Sequence, residues 1–404
     1  MSIMVNRSWF RPFIEVFMAQ GSDFLSPTRR GFLATTGSAL AGAVAGSTPL
    51  SAAVAPQDSS GTQVESTRRS QESVASQARR RIPIGVFDPA FPNLTTDQLV
   101  EKYASLGVEA AEIGTGGYPN DKHCPVQELL DDPAKLKAWR KKFEDHNIQI
   151  ATLSCHGNPV HPDQSIAAHD AETFRRTVLL AEKLDVKVIV GFSGCPGANP
   201  TDKNPNWITY RWPPEYAAAQ DWQWKEKLVP YWKEAVKFAR GHGIRRLALE
   251  MHPNFCVYNP LTLLKLRNAV GEEIGANNDL SHLFWQGCNP VEVIHMLGKQ
   301  GAIYHAHMKD TVLYPDKVAK YGVLNFVFEK EDLKTASDAF RAVGYGHGAS
   351  TWKDIMRAYM EVGYDGIFSV ENEDPILSGE VGVERALYVL KNVREELLTE
   401  PQLA

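Results

Sequence analysis

From Arg81 to the end of the chain, short apolar runs alternate with amphipathic helical stretches eight times over, and this phase limits the possible folds more than any single motif. The runs read as strands at Ile82–Phe87, Val108–Ile113, Ile148–Ser154, Val186–Phe192, Arg246–Met251, Ile274–Asp279, Ala302–Met308 and Gly366–Val370. Helical periodicity fits between them at Thr95–Leu106, with Thr96 as the expected N-cap, and at Pro133–His146, Ile166–Leu184, Trp224–His242, Pro260–Val270, Pro290–Lys299 and Thr351–Val362. A last helix is expected over Val381–Leu398. Strands that are apolar nearly throughout belong to parallel sheets covered on both faces. Eight such units over roughly 320 residues close into a (β/α)8 TIM barrel of the α/β class. An open doubly wound sheet is the alternative, but no G-x-G-x-x-G follows the first strand.

In a barrel of this kind the loops after the C-terminal strand ends carry the chemistry. Here those ends are loaded. Glu250 closes R-L-A-L-E, Asp279 closes I-G-A-N-N-D, and Glu371 follows G-I-F-S-V. Strand seven continues into I-Y-H-A-H-M-K-D-T, where alternation places His305, His307 and Lys309 on one face and Tyr304, Ala306 and Met308 on the other. A carboxylate buried at a strand end is costly unless it is paired or binds a metal, so four such ends point to one metal site. Either histidine could serve at this stage. Two Glu, one Asp and one His suit Mn²⁺, Co²⁺ or Mg²⁺ better than a structural zinc, with Mn²⁺ first and Zn²⁺ still open.

Composition narrows the partners. The chain has 404 residues, 43% of them hydrophobic and 23% charged, with a net charge of −5 and no Lys/Arg block in its body, which argues against a nucleic-acid partner. Five widely spaced cysteines without a C-x-x-C pair read as small buried apolar residues. A homo-oligomer is left open. The loop over residues 193–223 carries Trp207, Tyr210, Trp212, Tyr216 and Trp222, which suit either sugar stacking or a hydrophobic cap. The loop over residues 311–350 ends in Gly344, Gly346 and Gly348, which suit either a hinged lid or a static rim.

Before the barrel, Thr28-Arg29-Arg30-Gly31-Phe32-Leu33-Ala34 resembles a twin-arginine export signal, followed by a weakly apolar run rich in Ala, Gly and Ser. The expected organisation is a leader over residues 1–55, a flexible linker over residues 56–81 and the barrel over residues 82–399. Export by the twin-arginine translocase would place the mature protein in the periplasm.

The segments L-E-M-H-P (Leu249–Pro253), N-D-L-S-H (Asn278–His282), H-A-H-M-K-D (His305–Asp310) and V-G-Y-D-G-I-F-S-V-E-N-E-D-P (Val362–Pro375) resemble the xylose isomerase-like barrel superfamily, and within it the sugar phosphate isomerase/epimerase branch. The resemblance implies metal ligands at Glu250, Asp279, His307 and Glu371, with Glu250 and Glu371 as the acid/base pair. It implies substrate contacts at His156, His252, His282, His305 and Lys309. The implied activity is isomerisation or epimerisation of a sugar or sugar derivative through an enediolate. The alternative is a lyase or dehydratase acting on a keto-sugar or 3-keto-glycoside at the same metal site.

Overall fold

The fold comes from a computed structural model that describes residues 80–118, 120–325 and 333–400. The leader and most of the linker expected from the sequence lie outside the described residues. The first strand, β1 (Ile84–Phe87), pairs in parallel with β2 (Ala110–Gly114) on one side and with β10 (Phe368–Val370) on the other. Five further strands complete the ring: β3 (Gln149–Ser154), β4 (Val188–Phe192), β5 (Arg246–Glu250), β6 (Ile274–Asn277) and β7 (Ile303–Met308). All eight form one closed parallel barrel with flanking helices, in the order β1-β10-β7-β6-β5-β4-β3-β2.

Every expected strand is present, but β1, β2, β4 and β10 begin two residues later than the apolar runs do. For β2 and β4 the reason is local. The N–H groups of Val108 and Val186 donate to Tyr103 and Ala181, carbonyls of the preceding helices, so these apolar residues finish a helix instead of starting a strand. Helix α1 (Thr96–Ser105) is capped by Thr95, not Thr96: Thr95 accepts from Gln98 N–H while the Gln98 side chain accepts from Thr95 N–H.

Outward-facing residues such as Ala111, Ile113, Leu247, Leu249, Ala306 and Met308 join one continuous apolar core between barrel and helices. Inside the barrel, Val188, Val190 and Ala248 form a separate small apolar cluster. Ala248 shares a strand face with Glu250, so this cluster is the floor beneath the polar mouth.

In the long connection after β7 the described residues favour the static rim of the two readings: β8 (Asp310–Leu313) pairs antiparallel with β9 (Asp338–Arg341), register Asp310 to Arg341. The glycine turn is held from below by the buried Asp310, whose carboxylate accepts from the N–H groups of Thr311, Gly344, Gly346 and His347 at 2.8–3.0 Å. It also accepts from Trp352 Nε1 at 3.3 Å and contacts His347 Nδ1 at 2.8 Å. A Cβ on Gly346 would sit 2.4 Å from the Thr311 carbonyl oxygen, so the glycine serves close packing here, not hinge motion. In the aromatic loop, Tyr210, Trp212 and Tyr216 are exposed, while Trp207 packs edge-on against Tyr258 at 5.4 Å. Four of the cysteines are buried and Cys288 is half-buried, all as free thiols.

Candidate metal centre

The C-terminal strand ends bring Glu250, Asp279, His307 and Glu371 together, with one ligating atom from each lying within 4.8 Å of the others. Glu250 ends β5, Asp279 stands two residues beyond β6, His307 lies in β7 and Glu371 directly follows β10. Consecutive barrel neighbours thus converge on one point, as parallel strands with inward-facing ends must. His307 Nδ1 faces Glu371 Oε2 at 3.0 Å, Glu250 Oε2 at 3.5 Å and Asp279 Oδ2 at 3.9 Å. Of the two histidines on the strand face, it is His307 that meets the three carboxylates.

These residues fit a divalent ion. Asp279 Oδ2 is fully buried yet accepts no hydrogen bond among the described residues, while its other oxygen accepts from Ser281 N–H at 2.8 Å. A buried carboxylate oxygen left without a donor is a costly arrangement that a cation would relieve. Three carboxylates and one imidazole form the donor set of a hard-to-borderline ion. Two further groups, Glu250–His252–His282 and Glu112–His305–His307, meet the same 4.8 Å limit and share residues with the first.

The remaining predicted residues separate by depth. His156 Nε2 stands 3.2 Å from Glu250 Oε2, with its ring tilted against Phe192 at 4.6 Å. His282 Nε2 lies 3.2 Å from Glu250 Oε1 and 3.4 Å from Asp279 Oδ2, and neither of its ring nitrogens has a hydrogen bond among the described residues. His252 packs edge-on against His282 at 4.1 Å and faces the Pro253 carbonyl through Nδ1 at 2.7 Å, and burial pushes its pKa down to about 3. Lys309 donates to Glu371 Oε2 at 3.2 Å and to Glu373, lies 3.6 Å from Asp279 Oδ2, and rests 4.1 Å above the Phe340 ring. Its burial alone would lower its pKa, but Glu371, Glu373 and Asp279 outweigh that and hold it well above the usual lysine range.

His305 lies deeper than the other predicted residues. It is 1% exposed, and both ring nitrogens are engaged, Nε2 with Glu112 Oε2 at 2.7 Å and Nδ1 with Thr152 Oγ1 at 3.3 Å. It stands two residues before His307 along β7, with Glu112 and Thr152 as its polar neighbours.

Three residues that escaped sequence reasoning belong to the site. Glu112, in β2, accepts from Ser154 Oγ at 2.5 Å, Ser369 Oγ at 2.6 Å and His305, and stands 3.1 Å from His307 Nε2. The clue was the one that marked Glu250: a carboxylate inside an apolar strand run, in A-A-E-I-G. Asn277 donates from Nδ2 to Glu250 Oε2 at 3.0 Å. Glu373 binds Lys309 and accepts from Tyr118 Oη at 2.6 Å. Asn277 and Glu373 had no signal of their own in the sequence.

Electrostatics set Glu250 and Glu371, the two glutamates expected as an acid/base pair, apart. Burial raises both, but the hydrogen bond from His156, the His282 ring close by and the charge of His307 bring Glu250 well below the carboxylate range. In Glu371 burial prevails over Lys309 and His307, and its pKa is raised.

Fold and site together define a (β/α)8 barrel with a carboxylate–imidazole cluster, a candidate metal site, at its C-terminal mouth. The chain belongs to the xylose isomerase-like TIM barrel family, whose model matches residues 100–393. It is 37% identical over 303 residues to the uncharacterized Bacillus subtilis protein YfiH, covering 74% of this chain and 95% of that one. Among solved structures, a D-tagatose 3-epimerase-like protein superposes with a TM-score of 0.53 at 20% identity, over 78% of this chain and 100% of that one. A xylose isomerase-like barrel protein from Mycobacterium smegmatis in complex with magnesium gives 0.53 at 17% identity, over 79% and 98%. At these identities the structures speak to the fold.

Proposed function

We propose that this chain is a metal-dependent isomerase or epimerase of a sugar or sugar derivative that moves a proton at a carbon next to a carbonyl. The observation that carries the reading is the convergence of Glu250, Asp279, His307 and Glu371 within 4.8 Å, with one Asp279 oxygen buried and undonated. These four residues would hold one divalent ion, Mn²⁺ by preference, with Co²⁺, Mg²⁺ or Zn²⁺ as alternatives. Bound there, the ion would polarise a carbonyl and its neighbouring hydroxyl and so acidify the C–H of the hydroxyl-bearing carbon.

The protein's own groups supply the rest. Glu371, whose burial raises its affinity for a proton, takes it from one face of the carbon, and Glu250 stands across the site to return one. Lys309, 3.2 Å from Glu371, offsets the negative charge that gathers on that side. His156, His252 and His282 line the mouth with ring nitrogens suited to sugar hydroxyls. In His252 the Nδ1 that faces the Pro253 carbonyl leaves Nε2 for that purpose.

Incubating the Mn²⁺-loaded protein in D₂O with a panel of free sugars and 3-keto-glycosides tests the reading. Deuterium at the carbon beside the carbonyl in a product that is otherwise an isomer of the substrate is expected. Loss of water or of an aglycone would move the assignment to the elimination reading, and absence of exchange across the panel would count against proton transfer altogether. Export by the twin-arginine route, and with it a periplasmic place of action, remains part of the proposal. It rests on Thr28–Ala34, outside the described residues.

A further inference from the structure

We propose that Glu112 is the positioning residue of the metal centre: it holds the Nε2–H of His307 and thereby makes Nδ1 the atom that ligates the ion. The inference rests on the metal-centre reading above and goes beyond it, because it names the ligating atom and the residue that selects it.

The geometry is one-sided. Nε2 of His307 lies 3.1 Å from both Oε1 and Oε2 of Glu112, on the floor side of the ring. Nδ1 faces the other way, toward Glu371, Glu250 and Asp279 at 3.0, 3.5 and 3.9 Å. An imidazole that ligates through one nitrogen must carry its proton on the other, and a carboxylate is the acceptor that fixes such a tautomer most firmly. Glu112 is itself immobilised. Ser154 Oγ from β3, His305 Nε2 from β7 and Ser369 Oγ just across the ring in β10 all converge on its two oxygens at 2.5–2.7 Å. With these partners in place its oxygens can only accept, so the hydrogen on the Glu112–His307 contact must come from the ring. His305 completes the arrangement. Its own Nδ1 meets Thr152 Oγ1, which turns its Nε2–H toward Glu112. Phe87, stacked on the His307 ring at 5.6 Å and 27°, limits rotation of that ring.

The experiment uses the full chain labelled with ¹⁵N-histidine and loaded with Zn²⁺, a diamagnetic probe. His307 is assigned by difference against His307→Gln. The expected spectrum has a metal-shifted Nδ1 and a proton retained on Nε2. A second measurement compares Zn²⁺ affinity of the parent and Glu112→Gln by chelator competition. The amide accepts at only one oxygen and should cost about 10–100-fold in affinity, at little change in Tm. Metal on Nε2, or a proton on Nδ1, overturns the inference. Unchanged affinity in a folded Glu112→Gln does the same, and in both cases the metal-centre reading stands. Failure of the parent itself to bind Zn²⁺ overturns that reading and this inference with it. Should Glu112→Gln not fold, the spectrum of the parent alone decides.

Discussion

A carboxylate enclosed in a barrel can offset its lost hydration with a proton, with a cation or with enough hydrogen-bond donors, and the acidic residues here divide among these routes. Asp310 and Glu112 are surrounded by donors and are therefore supports, even though each sits in a segment that looks functional. Asp279 keeps one buried oxygen without a donor, and Glu250, Asp279 and Glu371 face one another across His307, which makes them the candidate ligands. For Glu371 this has a measurable consequence. Glu371→Gln keeps the shape and one oxygen for the ion but cannot accept a proton near neutral pH. We expect proton exchange to fall about 10²–10⁴-fold while ligand binding stays measurable. Metal content must be determined beside the rate. A variant that keeps its metal and exchanges at the parent rate would remove Glu371 from the role of base.

At the scale of elements, the barrel is closed at its N-terminal end by a clamp far from the chemistry. The last helix (Gly379–Thr399) sends Arg394 beneath β1 and β2, where its guanidinium donates to both Glu109 oxygens at 2.7 and 3.0 Å. Glu109 also accepts from Ile84 N–H at 2.9 Å and from Arg81. Burial would raise the Glu109 pKa, but these donors outweigh it and bring it from the ordinary 4.5 to about 2. A depressed carboxylate pKa adds stability that is fully present above 4.5 and disappears as pH falls toward 2. With 24% of the side chain exposed, solvent screening leaves about 1–2 kcal/mol of that linkage. Glu109→Gln should thus lower Tm at pH 7, and the gap to the parent should close on acidification through that window. A gap independent of pH in thermal unfolding would show that the clamp works by packing alone.

For the whole molecule, location and fold are separate questions. If Arg29-Arg30 direct export, changing both to Lys should keep the protein in the cytoplasm, whereas unaltered export in cell fractionation would contradict the assignment. The barrel is legible in the sequence, because the repeat phase and the apolar strands are local properties that each segment carries by itself. Glu250, Asp279 and Glu371 are legible too, since a charge at the end of an apolar run is conspicuous in one dimension. Closure of the barrel decides the rest. Which histidine of Ile303–Met308 faces the three carboxylates, and which is spent on Glu112, depends on depth along the barrel axis, and no spacing in the chain encodes it. That Gly344 and Gly346 belong to a fixed turn and not to a hinge depends on Asp310 lying beneath them, across more than thirty residues of chain. Glu112, Asn277 and Glu373 acquire their roles only from partners on other strands and loops. Local pattern determines which segments fold into strands and helices, but a buried polar group takes its meaning from the donors and acceptors that tertiary contact brings within about 3 Å of it.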